Sequence, residues 1–532
     1  MSHLSTKVIK LSTACIWLVL LSAGLKGGNL KSANTRMAGQ RPNILLIVSE
    51  DNGPELGCYG DPQARTPNLD ALAAAGTRFE KAFTTYALCS PSRASIYTGL
   101  YPHQHGQVGL ATHKYHMYED TRTFPAYLKK SGYRTGVIGK IHVNPESSIP
   151  FDWSAIRSDN FKRNNMHDYV KEANHFMGGG PEPFLLMVNF PDAHFPLVRQ
   201  AGGLPVAPRS GKDMKGTLPF VGASSPRLLE YTADYYNSIE RLDALCGQLL
   251  DLLRERGADR NTVIIYLGDH GAQFSRGKHS SHEAGLRIPL IIKDPRLEKQ
   301  SSTVHELVSV IDLLPTILEI TGEVLPSGLP GQSLISTLTD GRLKENRPYI
   351  YSASDGGTSM FFHPTRSIRD QQYKLIHHLI PNQENPDFKL YAGHFNSHFD
   401  GGTEQQELKD VRADIKKAYD RYQHPPEFEL FDLQKDPQEW INLSDDRKYE
   451  RIFRRLKKAL LTWRQATADP LAETAVLQAY VKEIEEVNMR YPNHSYQKDN
   501  AFRWRFYEAF SRRTAPKDGL TPSANHYSSI HQ

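Results

Sequence analysis

Five short, continuous apolar runs constrain the fold of this chain more than any other feature. The runs occupy residues 43–49, 136–138, 184–189, 262–267 and 289–293. Continuous rather than alternating apolar runs are typical of strands buried on both faces of a parallel sheet. Helical patterns separate the runs, and a strand–helix alternation predicts a doubly wound, mostly parallel α/β domain. We place this domain at residues 41–345.

The helical segments between the runs carry start and stop signals. Residues 68–75 follow a threonine and a first-turn proline, and a glycine closes them. This is the order expected of a cap, a helix start and a helix end. Residues 227–256 and 305–321 form longer amphipathic patterns, and each is also followed by a glycine. We predict a helix in each of these three segments.

The sequence pattern changes after residue 345. Short runs that indicate strands lie at residues 349–352, 366–368, 373–377 and 428–432. A basic amphipathic helix is indicated at residues 448–466, so we predict a smaller α+β domain at residues 346–470. Residues 471–532 form a polar C-terminal extension, whose helical piece at residues 473–489 we expect to pack back on the body.

The first residues have the order of an export signal. Two lysines precede an apolar stretch at residues 14–21, and small residues follow at 22–24. This order predicts a signal peptide at residues 1–24, followed by a polar linker at residues 25–40. An uncleaved membrane anchor is the alternative, although the apolar stretch is short for a bilayer span. We therefore expect a periplasmic or extracellular protein with no stable membrane insertion after the signal is removed.

Charge and cysteine content narrow the classes of partner. The net charge of +5 over 532 residues suits an anionic substrate. No basic run is interleaved with aromatic residues as a nucleic-acid surface requires, so we predict no nucleic-acid partner. The four cysteines, of which the signal peptide would remove one, are too few for a disulfide scaffold in an exported chain. The sequence does not indicate the oligomeric state.

Two pairs of potential metal ligands follow two of the predicted strands. Glu50 and Asp51 come directly after the first strand, and Asp269 and His270 follow the strand at residues 262–267. Functional sites of open α/β sheets form beyond the carboxyl ends of strands, so the two pairs can converge on one cation. Carboxylates favour calcium or magnesium, whereas the softer imidazole leaves zinc or manganese open. A polar turn is the alternative for each pair taken alone.

Cys89 begins the segment Cys-Ser-Pro-Ser-Arg, just before a predicted helix at residues 92–100. A cysteine near a helix N-terminus faces backbone donors and a partial positive charge, and Arg93 adds a fixed cation. This environment favours an anionic nucleophile and an anionic substrate. The alternative, a buried structural cysteine, fits poorly because serine, proline and arginine crowd the position.

Basic side chains follow three of the predicted strands. Lys140 and His142 come after the second strand, and they point the same way if the chain is extended there. His194 follows the third strand, and Lys278 lies in a glycine-containing loop after the fourth. Lysine can hold an anionic oxygen, and histidine can transfer protons near neutral pH. Taken singly, Lys140, His142 and Lys278 are explained at least as well as residues of solvated loops as by a functional role. For His194 the two explanations are about equal, because the residue lies at a strand end.

Together these segments resemble the formylglycine-dependent sulfatase family of the alkaline-phosphatase-like superfamily. Three signatures carry the resemblance: Cys-x-Pro-Ser-Arg at 89–93, Gly-Lys-x-His at 139–142, and Asp-His-Gly at 269–271 with Lys278. The similarity is strong over residues 41–289, and residues 429–437 resemble the family's C-terminal domain. The combination of motifs in this order is highly specific, whereas a single motif would not be.

Within the family, the chain is most similar to the heparan N-sulfatase, or sulfamidase, group. The similar stretches are residues 89–95, 139–146, 150–152 and 366–368. Sulfamidases tend to carry arginine where Lys278 falls, so this position follows the broader family. Glu50 also departs from the commoner aspartate, and His270 stands where many members carry asparagine.

The resemblance implies a modified nucleophile and a metal ion. A formylglycine-generating enzyme would oxidise Cys89 to formylglycine, an aldehyde that hydrates to a gem-diol. One Ca²⁺ per chain, or Mg²⁺ or another divalent cation, would lie beside it. The residues implied to surround the ion are Glu50, Asp51, Cys89, Asp269 and His270.

The resemblance also implies a role for each basic residue of the motifs. Arg93 would steady the formylglycine, and Lys140 and Lys278 would hold sulfate oxygens. His142 would take a proton from the second hydroxyl and so expel sulfate, and His194 would protonate the leaving atom. Cations around the site offset the charge of the sulfate and the charge that develops in the transition state.

The implied substrate is a sulfated saccharide, for example N-sulfoglucosamine of heparan-type glycans, whose sulfuric ester or sulfamate bond would be hydrolysed. Arg366 and His113, with His116, are candidates for a sugar subsite. Two alternatives stay open: a phosphodiesterase or phosphonate hydrolase of the same superfamily, and a catalytically dead, carbohydrate-binding relative. Every matched position keeps a chemically reasonable residue, which argues against the dead relative.

Overall fold

The computed structural model of the protein describes residues 41–298, 300, 303–393 and 399–514. The predicted signal peptide and linker at residues 1–40 lie outside the described residues, as does the end of the C-terminal extension. The larger sheet contains β1 (Asn43–Ser49), β2 (Thr77–Phe83), β3 (Arg134–Gly139), β4 (Trp153–Ala155), β5 (Phe184–Phe190), β6 (Thr262–Gly268), β7 (Arg287–Ile288), β8 (Leu290–Lys293) and β9 (Thr303–Ser309).

The order of the strands places β1 near the centre of this sheet. The order is β4-β3-β5-β1-β6-β8-β2-β7, and β9 pairs with β2. β1 is parallel to both of its neighbours, β5 and β6, whereas β7 and β8 run antiparallel to the strands they contact. The sheet is therefore mostly parallel with an antiparallel region, which confirms the predicted fold class.

Helices cover both faces of the sheet. Leu45 and Ile47 of β1 face a core formed with α1 (Pro67–Ala75), α5 (Asp168–Met177) and α6 (Pro226–Glu255). The alternating residues of the same strand face a second core formed with α2 (Cys89–Thr98), α4 (Phe124–Lys130) and α8 (Leu313–Thr321). Burial on both faces explains why these strands read as continuous apolar runs. Shorter helices in this part of the chain are α3 (Pro102–His105), α7 (Glu283–Leu286) and α9 (Ile335–Asp340).

The prediction of a single helix over residues 305–321 is wrong in its first part. Residues 303–309 form β9, a 3-10 turn follows at Val310–Asp312, and only Leu313–Thr321 is α-helical. β9 pairs with β2, which lies more than 200 residues earlier in the chain. Local periodicity does not reveal such a distant partner. Pro315 lies in the first turn of α8, where proline is tolerated, and this agrees with a late helix start.

A second sheet follows in the C-terminal part of the chain. It is antiparallel, in the order β10 (Ile350–Ser354), β11 (Thr365–Arg369), β12 (Tyr373–His378) and β13 (Phe428–Asp432). The helix α12 (Glu450–Ala466) packs on it through Leu456, Leu460 and Trp463. The connections contain α10 (Pro386–Ala392) and α11 (Ala413–Gln423). The predicted strands are thus present, and the domain boundary near residue 345 stays a prediction.

The C-terminal extension packs on the body through aromatic side chains. It contains α13 (Thr474–Arg490), a kinked 3-10 segment (Pro492–Lys498) and α14 (Phe506–Thr514). Its aromatic residues form a buried cluster with Val108, Tyr115 and Phe362 of the preceding chain. The polar composition of the segment did not indicate this cluster. None of the helices in the described ranges has the length and apolar character needed to cross a bilayer.

Candidate active site

The carboxyl ends of β1 and β6 bring the two predicted ligand pairs together. The strands are adjacent and parallel, so residues 50–51 and residues 269–270 leave the sheet at the same edge. The Asp51 amide donates a hydrogen bond to Asp269 Oδ1 at 3.0 Å. His270 Nε2 lies 3.2 Å from Asp51 Oδ1 and 3.7 Å from Asp269 Oδ1. The polar ends of two buried strands therefore form one cluster, as the strand-end argument predicts.

Cys89 lies in the same cluster. Its Sγ is 3.3 Å from His270 Nε2 and 3.9 Å from Asp51 Oδ1. The residue is the first of α2, whereas we predicted that this helix starts three residues later. Cys89 is thus part of the helical N-terminus rather than of the loop before it. The side chains of Cys89, Asp51 and His270 are all buried.

Serine hydroxyls of the signature segment fix the position of α2. The Ser92 hydroxyl donates a hydrogen bond to the Asp269 carbonyl and accepts one from Thr84 at 2.8 Å. The Ser90 hydroxyl accepts a hydrogen bond from the Ala111 amide at 3.0 Å. The helix N-terminus is therefore held against the end of β6 on one side and against the loop at residues 110–116 on the other.

Three buried cations neutralise three buried carboxylates. Arg93 NH2 lies 3.1 Å from both Glu50 Oε1 and Asp269 Oδ2. The Nζ atom of Lys278 is 2.8 Å from Asp51 Oδ2, and that of Lys140 is 3.4 Å from Glu50 Oε2. Paired charges of this kind are tolerated in a protein interior, whereas single ones are not. The motif residues thus form one charge network rather than separate surface groups.

The pKa values of the carboxyl groups reflect their different neighbours. Burial raises the pKa of Glu50, although Lys140 and Arg93 act against the rise. Burial would also raise the pKa of Asp269, but His270, Arg93 and Lys278 hold it below its usual value. Asp269 therefore keeps its negative charge at neutral pH, which suits a metal ligand.

Burial also raises the pKa of the Cys89 thiol, to about 12, despite the nearby charges of Lys278 and Lys140. The thiol is consequently protonated at neutral pH. A protonated thiol is a weak nucleophile, because the thiolate is the reactive form. The unmodified side chain is thus poorly suited to attack an anionic substrate.

The cluster suits a divalent cation. The ligand atoms of Asp51, Cys89 and His270 lie within 4.8 Å of one another. Asp269 stands beside them, and its buried Oδ2 is ion-paired with Arg93 but accepts no hydrogen bond within the described residues. Carboxylate oxygens with one imidazole nitrogen are a common donor set for divalent ions. The Glu50 carboxylate lies against Arg93 and Lys140, much as that of Asp51 lies against Lys278, and the role of Glu50 as a metal ligand stays a prediction.

His142 lies near the cations but is not held by hydrogen bonds. Both ring nitrogens are buried and make no hydrogen bond with the described residues. Burial lowers the pKa of His142 well below its usual value, and Lys140, Arg93 and Lys278 lower it further. The imidazole is therefore neutral and able to accept a proton. Its backbone φ is +57°, so residues 140–142 are not extended as the sequence argument assumed.

His194 is placed by a salt-bridge network that the sequence did not reveal. Asp192, two residues earlier, is buried and binds Arg163 at 2.9 Å and Arg241 at 2.6 Å. Arg163 also donates to the His194 carbonyl. The His194 ring stacks on the Phe161 ring at a centroid distance of 4.7 Å, and Lys140 Nζ lies 5.3 Å from the centroid of the Phe161 ring. Phe161 thus contacts two predicted site residues, and no sequence motif indicated it.

Burial lowers the pKa of His194 well below its usual value, and Lys278 and Lys140 add to the effect. The ring is therefore neutral in the resting site. Asn189 is a further residue that sequence reasoning missed, since its Oδ1 accepts a hydrogen bond from Arg93 at 2.9 Å. Its position at the carboxyl end of β5, the edge of the sheet at which the motif residues lie, was the available signal.

Arg366 is part of the packing of the C-terminal region. Its guanidinium is buried and binds Asp469 at 2.9 Å and Asp355 at 2.7 Å. These two carboxylates take up the donors that a substrate would need. The geometry therefore gives the proposed contact between Arg366 and a sugar no support, and it explains the residue as a buried link between β11 and the turn after α12.

His113, the other proposed sugar contact, lies beside the cluster. The Ala111 amide that starts its turn binds Ser90, the neighbour of Cys89. His113 Nδ1 is 2.7 Å from the hydroxyl of Tyr496. His116 lies farther along the same loop and stacks on Tyr507 at 4.1 Å. The loop thus joins the nucleophile helix to the C-terminal extension.

Comparison with known families adds to this geometry. The profile of the family described as Sulfatase matches residues 42–323, more than half of the chain. The profile described as "N-sulphoglucosamine sulphohydrolase, C-terminal" matches residues 268–393. The two matches together span the central strands and the start of the second sheet.

Individual relatives are distant but cover most of the chain. Human N-sulphoglucosamine sulphohydrolase is 29% identical over 467 residues, which cover 80% of this chain and 91% of the relative. An ulvan-active sulfatase of Formosa agariphila is 29% identical and covers 82% of each chain. Among solved structures, the phosphonate monoester hydrolase of Agrobacterium radiobacter is similar with a TM-score of 0.60 at 20% identity, covering 80% of this chain and 96% of its own. This last likeness concerns the fold alone.

Proposed function

Because this chain belongs to the sulfatase family, and is on that ground a sulfatase hydrolase, we propose that it removes sulfate from a sulfated saccharide and uses formylglycine formed from Cys89 as its nucleophile. A divalent cation, in the first place Ca²⁺, is the second component of the proposed site. The family match supports the reaction class, and the buried cluster described above supports the proposed roles.

The observation that carries the proposal is the balance of charge around Cys89. Three carboxylates face three cations, and all six side chains are buried. A divalent cation added to this balanced set gives the site a net positive charge. Such a site is complementary to the sulfate monoanion and to charge that develops on its oxygens during transfer.

The two added groups would supply chemistry that the chain lacks. When bound by Asp51, Asp269 and His270, the cation would withdraw charge from the sulfate group, and hydrated formylglycine at position 89 would supply hydroxyl groups. The remaining work falls to the chain itself. Lys140 and Lys278 are the proposed sulfate-binding residues, since their Nζ atoms lie within the buried charge network that surrounds Cys89, where each is paired with a carboxylate.

His142 is the proposed general base. A base must be unprotonated at the working pH, and the low pKa of this buried imidazole meets that requirement. Its ring nitrogens form no bond that must first be broken within the described part of the chain. His142 can therefore take a proton from a hydroxyl at position 89.

His194 is the proposed general acid for the leaving oxygen or nitrogen. Its pKa is held low by burial and by Lys278 and Lys140. An arriving sulfate anion would offset these two cations and raise the pKa of the imidazole. The acid form is thus favoured when substrate is bound, which is when the leaving atom needs a proton.

N-sulfated glucosamine is the proposed first substrate. The C-terminal family match and the human relative both carry the name of N-sulphoglucosamine sulphohydrolase, which supports this choice. The ulvan-active relative makes ulvan the second candidate. The test is a panel of N-sulfoglucosamine, glucosamine 6-sulfate and ulvan fragments, with a phosphonate monoester as the contrasting substrate. Turnover of the phosphonate alone would overturn the proposal.

Metal removal tests the second component. Dialysis against a chelator should abolish hydrolysis, and elemental analysis of the untreated protein should find about one divalent ion per chain. Asp269→Asn should lower the metal content as well as the rate, because it removes one negative donor. Full activity of protein with no bound metal would contradict the proposed site.

Export and maturation are proposed from the sequence. We expect residues 1–24 to direct export to the periplasm or the exterior, and a formylglycine-generating enzyme to act on Cys89 in the producing cell. Deleting residues 1–24 should leave the protein in the cytoplasm. Normal export of the shortened chain would contradict this part of the proposal.

A further inference from the structure

The loop at residues 110–116 is fixed to both sides of the active site. The Ala111 amide donates to the hydroxyl of Ser90, which adjoins Cys89. The side chain of Asn144, two residues beyond His142, donates to the carbonyls of Ala111 at 2.8 Å and Tyr115 at 3.0 Å. The loop is therefore positioned by the nucleophile helix and by the segment that carries the proposed base.

The C-terminal extension is in turn fixed to this loop. The Tyr496 hydroxyl binds His113 Nδ1 at 2.7 Å, and the Gln497 side chain donates to the Thr112 carbonyl at 3.1 Å. Trp504 Nε1 donates to the His113 carbonyl at 3.0 Å. These contacts join residues almost 400 positions apart in sequence to one edge of the pocket.

His494 is the residue that the extension presents at this edge. Its ring lies 4.5 Å from that of His113 and 6.1 Å from that of Phe361. Phe361 in turn contacts His279 at 5.0 Å, and His279 directly follows Lys278. The four rings thus run from the His113 loop to the segment of the sulfate-binding lysine.

The packing of the extension does not account for His494. Its Nε2 is buried and has no hydrogen-bond partner among the described residues. Its backbone φ is +60°, in the left-handed region, which histidine enters more often than most residues other than glycine but still uncommonly. A buried nitrogen without a hydrogen-bond partner disfavours the folded state, and so does a left-handed backbone at a residue other than glycine. A ligand that bonds to Nε2 explains why both are present.

The ring is neutral under ordinary conditions. Burial lowers the pKa of His494 to about 4, and burial, together with the neighbouring imidazole of His494, lowers the pKa of His113 to about 3. A neutral imidazole can donate or accept one hydrogen bond, and it carries no charge that would compete with the cations for sulfate. This chemistry suits a hydroxyl or amine of a sugar ring.

We propose that His494, positioned by Tyr496 and His113, contacts the saccharide part of the substrate and determines which sulfated sugar is accepted. The inference rests on the proposed function, since it assigns the sugar side of the same pocket. Phe361 offers an apolar surface to the sugar ring next to this polar contact. The C-terminal extension is then part of the active site.

The test compares a ligand that has a saccharide with one that has none. The side chain is removed by His494→Gly, because glycine adopts φ +60° without strain. For the sulfated sugar that the wild type hydrolyses fastest, KM should rise roughly tenfold, the loss expected for one hydrogen bond, with kcat changed less. The inhibition constant of inorganic sulfate, which occupies the anion site alone, should stay within about twofold by the same reasoning.

Three variants separate substrate contact from packing. Ser495→Ala changes the exposed neighbour of His494 and should keep wild-type kinetics. His494→Asn keeps a polar end in a left-handed conformation and should recover part of the lost affinity. Tyr496→Phe keeps the ring of the cluster but frees His113, so it should raise KM by a smaller factor. Thermal unfolding of every variant shows whether the fold is retained.

The outcomes are distinct. A selective rise in KM for the sugar supports the inference. Unchanged sugar kinetics in His494→Gly overturn it, and so does an equal loss of affinity for inorganic sulfate, which would indicate general damage to the pocket. A wild type that hydrolyses no sulfated sugar would instead overturn the proposed function, and with it the premise of this inference.

Discussion

The sulfate side of the pocket and its proposed saccharide side are built in different ways. The sulfate side comes from the ends of two adjacent strands and the first turn of α2, and buried charges form it. The saccharide side comes from the loop at residues 110–116 and from Pro492–Lys498, which are joined by contacts between residues 383 positions apart. Uncharged rings form this second side.

This difference separates two kinds of control over one reaction. Charges at fixed strand ends stabilise the transferring group, so changing them should lower the rate with every substrate. Rings on a loop and a C-terminal segment contact the part of the substrate that does not react, so changing them should alter the choice of substrate. Variants on each side should therefore give different kinetic signatures.

The largest effect is expected from Cys89→Ala, which removes the proposed nucleophile. Hydrolysis should fall by roughly 10⁴-fold or more with every sulfated substrate. Cys58→Ala is the matched control, because Cys58 is also a free cysteine but lies outside the cluster. Steady-state kinetics of both variants measure the effect. Substantial turnover by Cys89→Ala would contradict the proposal that residue 89 is the nucleophile.

A smaller loss is expected from Lys278→Ala. This change removes one cation of the sulfate side, so kcat/KM should fall by about 10²–10³-fold for every sulfated sugar. The inhibition constant of inorganic sulfate should rise as well. The exposed Lys130→Ala serves as a control for loss of a positive charge. If Lys278→Ala instead altered only the preference among sugars, the division between the two sides would be wrong.

Arg366→Ala is expected to act on stability and not on either side of the pocket. The change leaves Asp355 buried without its cation and leaves Asp469 paired with Arg464 alone, which should lower the free energy of unfolding by about 3–5 kcal/mol. The KM for sugar should stay the same in the folded fraction. Denaturant unfolding measures this loss of stability. Arg412→Ala, which breaks an exposed ion pair, is the control. A rise in KM without loss of stability would restore Arg366 as a substrate contact.

The smallest effect per residue is expected from acid. Burial lowers the pKa of His103 to about 4 and those of His105 and His113 to about 3, whereas unfolded histidine titrates near 6.5. Below pH 6.5 the unfolded chain therefore binds protons that the folded chain does not, and stability falls until the folded pKa values are reached. Each histidine should contribute about 1–3 kcal/mol of this loss by pH 4.

Thermal unfolding between pH 7 and pH 4 checks this prediction. His113→Asn should reduce the slope over that range, because it removes one of the groups that titrate. The carboxylate Asp269 on the sulfate side has a lowered pKa and should affect stability only as pH falls below about 4. A melting temperature independent of pH over this interval would contradict the assignment of neutral, buried histidines.

The two sides also differ in how far the sequence predicts them. The sulfate side follows from local rules, because a buried parallel strand shows as a continuous apolar run and ligands follow its carboxyl end. Asp51, Asp269 and His270 follow from this rule, and Cys89 follows from its place before a predicted helix; the structure brings the four residues together. The direction of the Glu50 side chain was not predictable, since Arg93 and Lys140 come from other parts of the chain.

The saccharide side depends on contacts that local patterns do not encode. The C-terminal extension reads as polar, yet its tyrosines and tryptophans pack on a loop far earlier in the chain. For the same reason β9 was predicted as helix, since its pairing with β2 is set by tertiary structure. The sequence patterns do not single out His494, and only its ring contacts with His113 and Phe361 reveal its place.

The most direct test of the account is mass spectrometry of the tryptic peptide at residues 82–93, taken from protein made in its native host. This peptide should have lost the mass difference between a cysteine thiol and the formylglycine aldehyde, and the same preparation should hydrolyse a sulfated sugar. An unmodified thiol at Cys89 in a preparation that hydrolyses the sugar at full rate would contradict it.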